Sequence, residues 1–173
     1  MRRVLFFGRF QPFHNGHLRV VEWLIDEQSF DELVILVGMA SESHTPRNPF
    51  TAGERIWMIR EALREAGIDL SRVITATLPT MEVHVGCAHY VLTHVPPVEA
   101  VATRNPVIAR VFREAGVKVV KPPAYRRDVY RGEHIRRLIA EGGEWETLVP
   151  RAVARIIHEI DGVARLREIM SSD

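Results

Sequence analysis

Apolar positions follow two rhythms along this chain. Val4 to Phe7 is an unbroken apolar run that stops at Gly8, the pattern of a short strand buried on both faces. From about Gly16 the spacing lengthens. Leu18, Val21, Trp23, Leu24 and Ile25 form an apolar stripe at helical intervals, with Arg19, Glu22 and Asp26 elsewhere. Glu32 to Val37 is a second buried-type strand closed by Gly38, and the polar, proline-containing stretch after it reads as a loop. Thr51 followed by Glu54 forms a capping box for a helix that places Ile56, Ile59, Ala62 and Leu63 inward and stops at Gly67.

The alternation continues. Val73 to Ala76, Val98 to Ala102 and Val117 to Val120 read as strands; a helical stretch near residues 84–94 and a helix from Val107 to Ala115 separate them. After Pro122-Pro123 come helices near 133–141, 150–159 and 162–170. This order predicts an α/β fold: a Rossmann-like, doubly wound parallel sheet of about five strands with right-handed crossovers and a helical C-terminal tail from about residue 133. We expect one domain over residues 1–173. In such sheets ligands bind beyond the carboxyl ends of the strands. The segments Gly8–His17, Gly38–Phe50, Thr103–Asn105 and Pro122–Gly132 all follow predicted strands, so all four are expected to line one crevice.

Composition narrows the function. With 23 basic and 22 acidic residues the formal charge is +1, too balanced for a general nucleic-acid binder but compatible with a local basic pocket. Lys118 and Lys121 are the only lysines; arginine supplies the remaining basic side chains, and its planar donor fork suits phosphate. Cys87 is the only cysteine, which removes any intramolecular disulfide. The first apolar run is too short for a signal peptide, and no stretch approaches the ~18 apolar residues of a membrane span. A soluble, cytoplasmic protein without nucleic-acid or membrane partners is the expectation.

The chemistry concentrates in Gly8-Arg9-Phe10-Gln11-Pro12-Phe13-His14-Asn15-Gly16-His17. Neither a Walker A sequence nor a dinucleotide-binding glycine fingerprint occurs in the chain. A helix starting near Gly16 aims free N–H groups into the crevice, a natural seat for phosphate. His14 and His17, three residues apart, can share one face of its first turn. Nucleotidyl transfer asks a protein chiefly for positioning and for positive donors around phosphate oxygens. Two histidines and an arginine at a helix N-terminus meet that demand. The same residues also read as a histidine pair capping a helix, or as two zinc ligands.

That segment resembles the HxGH-type nucleotidylyltransferases, in the variant of the archaeal type of nicotinamide mononucleotide (NMN) adenylyltransferase. Ser43-His44-Thr45-Pro46-Arg47-Asn48-Pro49-Phe50-Thr51-Ala52-Gly53-Glu54-Arg55 is similar to the second signature of that family, and the tail from Gly142 to Arg165 is similar as well. The resemblance implies transfer of AMP from ATP to NMN, giving NAD and pyrophosphate, with Mg²⁺ accompanying ATP. It implies catalytic roles for His14, His17, Arg47 and Arg136. It places Gly8, Arg9, Phe10, Gln11, Gly16, Ser43, Asn105 and Arg131 around ATP, and Phe13, Glu82, Cys87 and Tyr90 around the acceptor. No protein metal ligand is implied, and a homo-oligomer, a hexamer, is. Without the resemblance Arg136 reads equally as a surface helix arginine, and Glu54 with Arg55 as a cap and a structural ion pair.

Three positions depart from the family pattern. Arg131-Gly132-Glu133-His134-Ile135-Arg136 lacks the hydroxyl residues that usually precede the arginine. Arg104 stands where a glycine is usual, and Cys87 where an aromatic stacks on the nicotinamide ring. These departures leave two other readings open: an adenylyltransferase for another phosphorylated acceptor (phosphopantetheine, a flavin or a sugar phosphate), or a non-catalytic nucleotide-binding protein. His84, Cys87, His89 and His94 have metal-binding residue types at a spacing that matches no standard motif.

Overall fold

The computed structural model describes residues 1–80 and 82–171. Five strands form one parallel sheet: β1 (Arg3–Gly8), β2 (Glu32–Val37), β3 (Val73–Thr77), β4 (Ala100–Ala102) and β5 (Lys118–Val120), in the spatial order β3-β2-β1-β4-β5. The chain winds outward from β1 to β3, then returns to lay β4 on the other side of β1. The strand order therefore reverses between β1 and β4, and that is where such a sheet opens a crevice at its carboxyl end.

Alternation along the central strands divides the interior. Val4, Phe6, Leu33, Ile35 and Val37 face one core, and Leu5, Val34, Leu36 and Val101 the other. Residues of α1 (Asn15–Glu22), α2 (Ala52–Glu65), α5 (Gly132–Glu141), α6 (Arg151–Glu159) and α7 (Gly162–Ser171) share the first core; those of α3 (Cys87–Leu92) and α4 (Pro106–Glu114) share the second. Both faces are covered, which is why β1 and β2 carry nearly continuous apolar sequence.

Most sequence-based boundaries hold to within a residue or two; the helical stretch expected near 84–94 is shorter, Cys87–Leu92. Thr51 and Glu54 form the expected capping box of α2. The fourth strand is shorter than its apolar run: it begins at Ala100, because the chain leaving Pro96-Pro97 first meets the sheet at Glu99, whose N–H donates to Arg3 O. The first helix runs on through a π-helical turn, Trp23–Glu27. Among the described residues no helix is long and apolar enough to cross a membrane.

Phe112 on α4 is fully buried in the second core and packs 5.8 Å from Phe7, ring centre to ring centre. Phe112→Ala is expected to cost about 3–5 kcal/mol. The measurement is a urea denaturation curve; a loss below about 1 kcal/mol would mean that this face of the sheet is not packed as described.

Candidate active site

The β1–β4 switch point holds a cavity of about 750 Å³. Three of the four expected loops line it: His14, Gly16 and His17 from the first, Thr103, Arg104 and Asn105 from the third, and Arg127, Tyr130 and Arg131 from the fourth. The Gly38–Phe50 loop contributes no wall residue. It packs beside the cavity, where Arg9 and Arg136 reach it.

His14 and His17 form a reciprocal cap. His14 is the N-cap of α1, and its Nδ1 accepts the N–H of His17 at 3.3 Å, while the Nδ1 of His17 accepts the N–H of His14 at 3.1 Å. A backbone N–H can only donate, so both Nδ1 atoms carry lone pairs. In the neutral rings the proton therefore sits on Nε2, and each imidazole presents an Nε2–H donor. Burial, reinforced by the Arg127 charge, lowers the His14 pKa from 6.5 to about 3. Burial, then His14 and then Arg127, holds His17 well below its ordinary value. Both rings are neutral near pH 7. Histidine capping and a place on the cavity wall, alternatives in the sequence, coexist here.

The rings belong to a column. Phe13 stacks on His17 at 5.4 Å, His17 on His14 at 3.5 Å, and His14 on Tyr130 at 6.3 Å, all within 25° of parallel. Gly16 is required for this approach: a Cβ there would stand 2.9 Å from Tyr130 Cβ and 3.0 Å from the His14 ring. At Gly132 a Cβ would lie 2.7 Å from Arg136 Nη1, so a larger residue there would displace the guanidinium.

Arg9, Arg47 and Arg136 act on one another electrostatically, and none of the three is a wall residue of the cavity. Arg9 Nη1 donates to Arg47 O at 3.4 Å. Arg136 is buried, and donates to Pro46 O and Gln11 O at 3.0 Å each. It is thus no surface helix arginine. Burial is the main reason its pKa falls to about 10; the Arg9 charge adds to it. For Arg9 the order is the same, burial first and then Arg47.

Several expected contacts stand behind the wall. Phe10 and Phe13 are 2% and 0% exposed, so both rings support His17 from the core and offer no face to a ligand. Gln11 is buried too. Its amide donates to Phe50 O and accepts from Phe50 N–H, each at 3.0 Å, clamping the first loop to the start of α2. Gly8 ends β1, where its carbonyl accepts the Gly38 N–H. Ser43 Oγ bonds His44 Nδ1 within its own loop. Asn105 caps α4 by accepting from Val107 and Ile108 N–H.

Glu82, Cys87 and Tyr90 meet in a separate apolar cleft of about 30 Å³ beside Phe7, which borders both spaces. Phe13 is not part of it. In this state the cleft has room for little more than a water. Among the described residues no group of three or more His, Cys, Asp or Glu is placed to hold a metal ion, so His84, Cys87, His89 and His94 form no such cluster.

The expected ion pair between Glu54 and Arg55 is corrected. Glu54 does not pair with Arg55; it forms a two-bond ion pair with Arg165, at 2.7 and 2.8 Å. Neighbours in sequence on a helix point apart, which favours the distant partner. Arg55 is instead fully buried on backbone carbonyls. Sequence reasoning also passed over Arg127, Tyr130 and Tyr125. The only available signal was their position in a loop following a strand. Arg104, bulky where glycine is usual, fits because its Nη1 turns to Pro122 O at 2.6 Å, joining two walls of the cavity.

Comparisons with known proteins bear on the family and the fold. Residues 5–138 match the Cytidylyltransferase-like family. The chain is 60% identical over 171 residues, 99% of its length and 97% of the relative's, to an uncharacterised protein of Archaeoglobus fulgidus. It is 50% identical over 173 residues, 100% of this chain and 99% of the other, to a nicotinamide-nucleotide adenylyltransferase of Saccharolobus solfataricus. In fold it is similar to a bifunctional NMN adenylyltransferase/ADP ribose pyrophosphatase from Francisella tularensis, crystallised with AMP and a manganese ion. The TM-score there is 0.77 at 22% identity, over 97% of this chain and 51% of that one, so this chain spans about half of the bifunctional protein.

The histidine pair makes stability depend on pH. An unfolded histidine titrates near 6.5 and folded His14 near 3, so between those values the unfolded chain binds more protons. Stability is therefore expected to be level above about pH 6.5 and to fall as pH drops towards about 3. His14→Asn keeps a capping oxygen but cannot titrate. Urea curves across this range should show the variant losing less stability on acidification; parallel losses would remove the histidine from the explanation.

Proposed function

We infer, for a chain that belongs to the Cytidylyltransferase-like family and to its branch of archaeal nicotinamide-nucleotide adenylyltransferases, that it transfers AMP from ATP to NMN, giving NAD and pyrophosphate. The observation that carries this reading is the pair of stacked, neutral imidazoles, each with its Nε2–H free of the cap, on the wall of a large cavity at the sheet's switch point.

The α-phosphate of ATP sits before His14 and His17 at the N-terminus of α1, where two Nε2–H donors and the helix dipole favour negative charge. The β- and γ-phosphates lie towards Arg9, Arg47 and Arg136. The nucleoside extends along the cavity between the Thr103–Asn105 turn and the Arg127–Arg131 segment. Arg131, at the N-cap of α5, takes up part of the role of the missing hydroxyls. The NMN phosphate attacks the α-phosphorus in line as pyrophosphate departs. His14 and His17 stabilise the charge that builds on the equatorial oxygens, a task that needs pre-aimed donors and no protein nucleophile.

Among the described residues, the lining of the large cavity carries no carboxylate. That donor set fits a divalent cation, assigned as Mg²⁺, that arrives on the phosphate oxygens of ATP with its own waters rather than in a protein cage. When bound it would neutralise phosphate charge and orient the leaving group. NMN approaches from the side of Phe7, Cys87 and Tyr90, whose cleft would have to open to admit a ring. A homo-oligomer remains part of this reading through the branch the chain belongs to.

Pyrophosphate release tests the assignment, with ATP, Mg²⁺ and a set of acceptors: NMN, nicotinate mononucleotide, phosphopantetheine, a flavin phosphate and a sugar phosphate. Release with NMN is expected. Release only with another acceptor would overturn the acceptor, and release with none would overturn catalysis. His17→Ala is expected to lower kcat on the order of 100- to 1,000-fold. KM for ATP should stay within about threefold, because the donor acts mostly in the transition state. Equal losses in binding and turnover would count against that role.

A further inference from the structure

The charges around the first two loops do not balance. Arg55, on α2, is 0% exposed. Its Nη1 donates to Arg9 O at 2.7 Å and Gly38 O at 2.6 Å, its Nη2 to Met39 O at 3.1 Å, and its Nε to Thr51 O at 3.2 Å. Every one of these acceptors is a backbone carbonyl. The acid next to it in sequence, Glu54, is bonded to Arg165. Arg136 repeats the arrangement on Pro46 O and Gln11 O, and Arg9 reaches Arg47 O.

Three guanidinium groups, those of Arg9, Arg55 and Arg136, thus reach the loops after β1 and β2, and the charge of Arg47 acts on Arg9 and Arg136. Glu42, the acid that acts on Arg9 from a distance, is hydrogen-bonded to Asn48. Glu54 and Glu133 act on Arg55 and Arg136 through space, without a bond to either. Burying a guanidinium with no bonded carboxylate is costly, and carbonyl dipoles offset only part of that cost. A neutral side chain could hold carbonyls together more cheaply. The positive charge at position 55 is thus answered in the free protein only through space, by Glu54, whose carboxylate is bonded to Arg165. A polyphosphate carries several negative charges, and the loop that Arg55 grips is the one from which Arg9 extends.

We propose that Arg55 is a positioning residue whose buried charge is balanced by the polyphosphate of the bound nucleotide, so that phosphate binding and the closeness of the β1 and β2 loops are coupled through it. The proposal rests on the polyphosphate site described above and adds a member that touches no substrate. Two components separate: the fork, which sets loop geometry, and the charge, which attracts phosphate. Lysine keeps the charge and loses the fork. Methionine loses both.

The test is binding of inorganic tripolyphosphate, followed by calorimetry and by the shift in melting temperature, for the wild type, R55K and R55M. The wild type is expected to gain melting temperature with ligand. R55M is expected to bind at least about tenfold more weakly, R55K to stay within about threefold of the wild type, and the salt dependence of binding to flatten in R55M alone. Equal weakening in R55K and R55M would reduce Arg55 to a purely structural staple and overturn the proposal, as would unchanged binding in R55M. No binding by the wild type would instead sink the polyphosphate site itself. Should R55M fail to fold, R55Q carries the test. It keeps amide donors for the loop carbonyls and removes the charge, so tripolyphosphate should bind about tenfold more weakly. Unchanged binding in R55Q overturns the coupling.

Discussion

Peptide carbonyls at the carboxyl end of a parallel sheet have to find donors as the chain leaves the strands. Here the donors are guanidinium groups. Arg55 gathers Arg9 O, Gly38 O, Met39 O and Thr51 O, and Arg136 gathers Pro46 O and Gln11 O. These bonds fix two loops against the start of α2 and against α5, and they set where Arg9, Arg47 and the α1 cap can stand. An unpaired buried carbonyl would cost about as much as a lost hydrogen bond, so this arrangement is a condition for the crevice to exist at all. Gln11 closes the same seam with its two bonds to Phe50.

Much of this architecture was legible in the amino-acid order, for a physical reason. β1 and β2 are covered on both sides, so they had to be written as continuous apolar runs, and the Thr51–Glu54 cap is a local motif with a fixed spacing. The histidine pair was legible as chemistry and as a cap, but its tautomers were not, since they follow from two backbone distances. Arg55 was misread because the partners of a carbonyl-bound arginine leave no trace in residue type: every residue has a carbonyl. Phe10, Phe13 and Gln11 looked like ligand contacts within a long motif, yet they are buried and brace it from behind. Tyr130 and Arg127 sit in a loop without periodicity, where nothing in the spacing separates a wall residue from a solvated one.

The departures from the family pattern find a structural account in part. Arg104 turns its guanidinium to Pro122 O and so replaces a close backbone approach with a side-chain tie between β4 and β5. Arg131 stands on the cavity wall at the start of α5, where hydroxyls are usual. Cys87 lies buried in a cleft too small for a ring, and the aromatic side chains that border it are Phe7, Tyr90 and Phe112.

The reciprocal cap carries one more consequence. With each Nδ1 lone pair occupied by a peptide N–H and each Nε2 already bearing hydrogen, neither imidazole has a free lone pair to receive a proton near neutral pH. Such a site cannot ionise an incoming group by general-base action, so the nucleophile has to arrive anionic. A phosphate monoester, with a second ionisation near pH 6, meets that condition in neutral water. An alcohol does not. In the proposed reaction, selection between phosphate and hydroxyl acceptors would thus be written into the hydrogen bonds of a helix end rather than into any contact with the acceptor.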